Sequence, residues 1–191
     1  MTTIGGGSII DTHPHLRKRF ATDSIEELKK KEQLDDKNRV EYICKLKEDK
    51  TITYDFLIKK TSINKEKIKE ILNELNNKEK VMYFERGNEK TWIHKDNYFQ
   101  LEDELIDILT QFHQENKLKA GLSKEELRTK LSMELDNREY NQFLEDLEQR
   151  NKIEVIGSDV KKYEYEVILD KKEEKLKEEI LKEFTDNKFM P

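Results

Sequence analysis

Apolar residues recur along this chain at spacings of three and four, and each run stops at a residue able to cap a helix. Val40, Ile43 and Leu46 line one face of a helix over residues 35–46. Thr53 can cap a short helix bearing Phe56, Leu57 and Ile58. Asn64 can cap a longer one with Ile68, Ile71, Leu72 and Leu75 on one face. Val81-Met82-Tyr83-Phe84 then reads as a strand, Gly87-Asn88 as a turn, and Thr91-Trp92-Ile93-His94 as the returning strand. Three helices and a hairpin make a first module, residues 35–99.

Residues 100–170 repeat the pattern. A helix carries Leu101, Leu105, Ile108, Leu109 and Phe112, and a longer turn follows it. Ser123 with Glu126 forms a capping box for a short helix holding Leu127 and Leu131. Asp136 with Glu139 forms another for a helix holding Tyr140, Phe143, Leu144 and Leu147. Ile153-Glu154-Val155-Ile156 alternates as a strand, Gly157-Ser158 turns, and the strand is expected to return over Tyr163-Glu164-Tyr165-Glu166-Val167.

Subtraction sharpens the repeat. The pairs Asn64/Asp136, Ile71/Phe143, Leu72/Leu144, Leu75/Leu147, Val81/Ile153 and Tyr83/Val155 are each 72 residues apart. Ile108/Ile180, Leu109/Leu181 and Phe112/Phe184 share that offset. Residues 171–191 therefore read as the first helix of a third module. Cap and apolar positions recurring together mark tandem copies of one supersecondary unit. The expected fold is mainly α with small β-hairpins, arranged as tandem winged helix-turn-helix modules. Upstream, a linker helix capped by Asp23 or Ser24 is expected over 21–34. Residues 1–20 hold three of the six glycines and read as the tail of a preceding domain.

Composition narrows this picture. Charged residues make up 41% and hydrophobic residues 34%, which suits several small helical modules better than one large core. No apolar run approaches the ~18 residues of a membrane span, and the start lacks the form of a signal peptide. The single cysteine, Cys44, cannot support a disulfide framework and reads as a small buried apolar residue in a reducing, cytoplasmic setting.

Charge divides the two modules. Net charge is −5, which argues against binding nucleic acid with the whole surface. Residues 45–80 nevertheless hold ten Lys against seven acids, whereas residues 101–150 carry seven Lys or Arg against thirteen acids. A helix-turn-helix presents its second helix to nucleic acid and adds backbone contacts from the wing. The candidate contacts are accordingly Lys65, Lys67 and Lys69 on the first such helix and Arg86 and Lys90 in its wing. Arg138 on the second helix and Lys161 and Lys162 in its wing complete the set. A solvated face balanced by Glu66, Glu70 and Glu74 is the competing reading of the first helix. The acidic second module suits a spacer or a protein contact better. Tyr83, Phe84, Trp92, Tyr163 and Tyr165 are expected to pack in the hairpins, and the other reading makes them stacking platforms for single-stranded RNA.

Catalytic chemistry finds no footing. The Gly5-Gly6-Gly7 run lacks the Gly-Lys-Ser/Thr of a phosphate loop. His13 and His15 have no further ligands at metal spacing, and Arg17-Lys18-Arg19 reads as a solvated linker. His94 and His113 lack a carboxylate or nucleophile partner and are expected at the surface or its boundary. No nucleophile–base pair is visible, so no catalytic residue, metal or cofactor is expected in this chain.

Two segments carry a resemblance. Thr3-Ile4-Gly5-Gly6-Gly7 through Asp11, His13-Pro14 and Lys18-Arg19-Phe20 is similar to the end of the third β-barrel domain of the bacterial selenocysteine-specific translation elongation factor. Phe112-His113-Gln114-Glu115-Asn116 through Gly121-Leu122-Ser123-Lys124-Glu125-Glu126-Leu127-Arg128 resembles that family's second winged-helix module, with Lys117 in place of the usual Pro. The resemblance implies a piece of the family's C-terminal region: the end of the barrel, modules one and two, and the first helix of module three. It implies that GTP and Mg belong to a part absent from this chain. It also implies a place between the GTPase part, which delivers selenocysteinyl-tRNA to the ribosome, and the modules that bind the mRNA insertion hairpin at UGA codons. A cytoplasmic monomer with no membrane contact is the matching expectation. The alternative is a tandem winged-helix transcription regulator reading duplex DNA.

Overall fold

The computed structural model describes residues 35–46, 50–167, 169 and 171–186. The expected linker helix, the N-terminal tail and the His13/His15 pair lie outside them. The described residues form seven helices and five strands: α1 (Asp36–Leu46), α2 (Tyr54–Thr61), α3 (Lys65–Asn77), β1 (Val81–Arg86), β2 (Glu89–His94), α4 (Lys95–Glu115), β3 (Leu122–Ser123), α5 (Lys124–Lys130), α6 (Asn137–Gln149), β4 (Ile153–Ile156), β5 (Asp159–Lys162) and α7 (Lys171–Asp186). The protein is mainly helical with small antiparallel hairpins, as the pattern predicts.

The helices begin where their caps stand. Thr53 accepts a hydrogen bond from the Phe56 amide and Asn64 from the Lys67 amide. Asp136 and Glu139 form a complete capping box: each side chain accepts from the other's backbone N–H at 2.9 Å. The offset of 72 extends to the backbone at the helix ends. Glu79 and Asn151 both take positive φ, at 53° and 55°. The next amides, of Lys80 and Lys152, both reach back to the carbonyls of Leu75 and Leu147 at 2.9 Å. The same C-terminal turn thus closes α3 and α6.

The chain divides into two compact units. One holds the residues through Asp103 together with Leu131–Phe143, and the other holds Glu104–Lys130 with the residues from Leu144 on. In the first unit Val40 and Cys44 of α1, Leu57 of α2 and Ile68, Leu72 and Leu75 of α3 close over Val81, Trp92 and Ile52. Burial, with Glu41 a smaller cause, pushes the Cys44 thiol up to about 12, so it stays a neutral core residue. Phe84, Tyr98 and Phe143 form an aromatic chain, Tyr98 meeting Phe143 edge-on at 5.1 Å. In the second unit Leu105, Leu109, Leu122, Leu127, Leu144, Leu147, Ile153 and Val160 are buried.

Three features depart from the sequence reading. α4 starts at Lys95, directly after β2, because nothing between 95 and 101 breaks a helix and Tyr98 is buried in its first turns. The second return strand is Asp159–Lys162 and not 163–167. A two-residue turn led by Gly157, at φ +59°, pairs Ile156 with Asp159 at once, so the register is spent before Tyr163. Glu164 at φ +60° then turns the chain away. A further backbone pairing also joins each wing, the strand β3 in the second and a lone bridge in the first. Leu122 pairs with Val160, and Ile52 exchanges both backbone hydrogen bonds with Trp92. Gly121 admits this closeness, since a Cβ there would lie 2.9 Å from the Val160 carbonyl oxygen.

Candidate nucleic-acid interface

The first recognition helix, α3, buries Ile68, Ile71, Leu72 and Leu75 and exposes the opposite face. Lys65, Lys69, Asn73 and Asn77, spaced by four, form one exposed row of hydrogen-bond donors. Lys67 lies off that row, ion-paired with Asp36, as Glu74 is with Lys37. These two solvated pairs bridge α3 and α1. The bond to Glu74 holds the Lys37 ammonium pKa above its ordinary value, and the bond to Asp36 does the same for Lys67. Lys69 has no ion pair among the described residues. Lys65 lies 5.9 Å from the Tyr54 ring centroid, at the edge of cation–π range.

Aromatic rings carry this face on to the wing. Tyr54 meets the edge of Trp92 at 6.3 Å, Trp92 meets Tyr83 at 5.4 Å, and Lys90 sits 3.6 Å over the Tyr83 ring. Trp92 is fully buried, while Tyr83 is 37% exposed. The sequence-predicted cations Lys65 and Lys90 thus stand at the two ends of one aromatic row. Tyr54 is the member sequence reasoning missed. It opens a helix instead of alternating in a strand, so period-two reasoning never reached it.

The start of the second recognition helix is already occupied. Glu139, 2% exposed, accepts from the Thr51 and Thr91 hydroxyls at 2.8 and 2.6 Å. Arg86 pairs with Asp136 at 3.0 Å. Gln142 exchanges two hydrogen bonds with the Glu85 backbone, at 2.6 and 2.7 Å. The Arg138 guanidinium lies beside the first wing's turn, 3.6 Å from where a Cβ on Gly87 would stand. The first unit's hairpin therefore covers the end of α6 that a helix-turn-helix reader inserts into a groove. Arg86, predicted as a phosphate contact, is ion-paired in this seam, and Arg138, predicted likewise, lies beside it. Thr51, Thr91 and Gln142 carried no sequence signal, and Glu139 signalled only its capping box.

In the second wing Lys161 pairs with Glu154 at 2.8 Å and donates to the Tyr165 carbonyl at 3.0 Å. Lys162 Nζ reaches the Thr110 hydroxyl at 3.4 Å, and its backbone N–H donates to His113 Nε2 at 3.2 Å. Both histidines expected at the surface or its boundary are buried, His94 at 6% exposure and His113 at 5%. Burial lowers the pKa of each. For His113 the nearby Lys161 and Lys162 lower it further. Each uses a ring nitrogen as an acceptor, His94 Nδ1 taking the Asp96 amide at 3.1 Å. The neutral imidazole is therefore the form that fits. Of the stacking candidates, Phe84 is buried like Trp92, whereas Tyr163 is 41% exposed and Tyr165 half-buried.

Among the described residues no three His, Cys, Asp or Glu side chains stand close enough to hold a metal ion, and no helix is long and apolar enough to cross a membrane. Residues 106–161 match the family described as elongation factor SelB, winged helix. The matched span runs from the middle of α4 to β5, and the chain thus contains a SelB-type winged-helix region. No match was found among curated proteins.

Proposed function

We propose that this chain is the part of a selenocysteine-specific translation elongation factor that joins the GTPase part to the modules binding the mRNA insertion hairpin at UGA codons. The observation that carries this reading is the SelB winged-helix match over residues 106–161. The offset of 72 extends that winged-helix character to the first unit. In this role the chain is not an enzyme. GTP and Mg belong to the GTPase part, and selenocysteinyl-tRNA is handled there. The chain works as a cytoplasmic monomer beside the ribosome and touches RNA phosphates through Lys65, Lys69 and Lys90. Arg86 serves the seam between wing and helix instead.

The alternative, a regulator reading duplex DNA, is less well supported. Base readout leans on Arg, Asn or Gln presented by recognition helices. α3 offers Lys with Asn73 and Asn77, and the start of α6 is covered. The test is to titrate the chain against an insertion hairpin RNA, an unrelated RNA and duplex DNA at two salt concentrations. Three phosphate contacts predict RNA affinity falling by about 20- to 40-fold between 50 and 200 mM salt. The triple change of Lys65, Lys69 and Lys90 to Gln should remove most of that dependence. Tight, sequence-specific duplex DNA binding would overturn the reading in favour of the regulator.

A further inference from the structure

A second place on the molecule has the chemistry to hold nucleic acid, and none of the preceding roles uses it. In the second unit the end of α4 and the residues after β5 enclose an open cleft of about 500 Å³. Thr110, His113, Gln114, Lys117, Lys162 and Tyr165 line it. That volume lies within the range of small-molecule sites, roughly 300–1,000 Å³. The Tyr165 ring stacks on His113, with centroids 3.6 Å apart and planes 16° from parallel. Its hydroxyl donates to the Lys117 carbonyl at 3.0 Å, and its own carbonyl accepts from Lys161. His113 is fixed in turn by the Lys162 amide. The ring is thus held by the His113 stack and by its hydroxyl, and its backbone by Lys161. Its outer face meets no other ring among the described residues.

The surroundings suit a base and its phosphates. Lys162 Nζ reaches the Thr110 hydroxyl, and among the described residues neither it nor the exposed Lys117 has a carboxylate ion pair. Gln114 offers both donor and acceptor to a base edge, and Glu166, also at the cleft, offers an acceptor for an exocyclic amine. With Nε2 accepting, His113 carries its proton on Nδ1. That atom is buried with no hydrogen-bond partner among the described residues, an unsatisfied donor that the stack keeps in place. A flat, immobilised aromatic face flanked by cations is the sequence-tolerant platform on which unpaired bases stack.

We propose that this cleft takes one unpaired base of single-stranded RNA on the outer face of Tyr165, with the flanking phosphates on Lys117 and Lys162. The choice of RNA as ligand rests on the translation role proposed above, while the geometry stands apart from it. The experiment uses the whole 191-residue chain. Labelled single-stranded oligouridine and a blunt RNA duplex are titrated at low salt, and 5-iodouridine RNA is photo-crosslinked and mapped by mass spectrometry. Tyr165→Leu should weaken single-strand binding by roughly 5- to 150-fold, with duplex binding unchanged. Tyr165→Phe, which keeps the ring, should bind within a few-fold of wild type. Lys162→Gln should lower the salt slope by close to one contact. The crosslink should fall on the Tyr165 peptide.

Several results would overturn the site: no single-strand binding by wild type, unchanged binding in Tyr165→Leu, or crosslinks confined to the first unit. Equal competition by polyglutamate would do so too, because it makes the cleft a mere cation cluster. Where Tyr165→Leu fails to fold, as judged by circular dichroism, Lys162→Gln and the crosslink decide. Insertion-hairpin and ribosome binding that survives loss of the cleft leaves the translation role standing without this site. A Tyr165 crosslink in a chain that ignores hairpin and ribosome leaves the site without the role.

Discussion

Helices α3 and α6 are cut from one pattern and end with opposite surfaces. Their caps, buried faces and C-terminal turns coincide at an offset of 72, yet position 67 is a lysine and its counterpart, 139, a glutamate. Both backbone amides bond the cap side chain. The Lys67 side chain goes outward to Asp36, in solvent, whereas Glu139 is sealed beneath Thr51 and Thr91. The apolar register makes the helix, and the polar residues laid over it decide whether that helix stays open to a ligand or becomes an internal joint. One supersecondary unit thus serves two ends without any change in the register of its core.

The comparison can be broken most forcefully at the shared core. Leu75→Ala and Leu147→Ala remove fully buried side chains at equivalent positions. Each should cost about 2–5 kcal/mol, read as a lowered urea midpoint. A marked inequality would mean that the two cores are not equivalent, whatever their register. The next effect separates the polar positions. Glu139→Ala leaves two threonine hydroxyls and the Asp136 amide without their acceptor and should cost about 2–3 kcal/mol. Lys67→Ala should leave the unfolding midpoint essentially where it is, since its partner is a solvated carboxylate. Equal losses would show that the buried glutamate is not the joint described here.

The smallest effect is one of pH. His94 and His113 have folded pKa values below the ordinary 6.5, so the unfolded chain binds protons that the native state refuses. Their contribution is fully present above about 6.5 and is lost as pH falls from there through the folded values. Glu74 and Asp96, also lowered, act in a separate window, below their ordinary 4.5 and 3.8. The urea midpoint should therefore slide downward between pH 7 and 5, and His113→Gln should flatten part of that slope. A midpoint constant over this range would contradict the neutral, buried state of both rings.

Legibility followed the range of the interactions. Helices α1 to α3 and α6, their caps and both turn glycines were readable because each depends on neighbours within four residues. The second return strand was misplaced because Tyr163 and Tyr165 looked like strand residues. The turn at Gly157 had already committed the preceding, more polar stretch to the ladder. The bridge at Ile52 and the short strand at Leu122 were invisible, since both pair with residues about 40 positions away. Among the predicted cations, Lys65 and Lys90 converged on one aromatic row, whereas Arg86 met a carboxylate 50 residues on.

By itself, then, the sequence determined the repeated unit, its register, its caps and its charge division, because periodicity and capping are local and recur wherever the local pattern recurs. Only the tertiary structure decided which charges remain open. Arg86 and Asp136, Glu139 and its two threonines, and Tyr165 and His113 are each brought together by chain reversals that no local pattern encodes. A charge's availability to RNA depends on what folds back against it, and that is a long-range property.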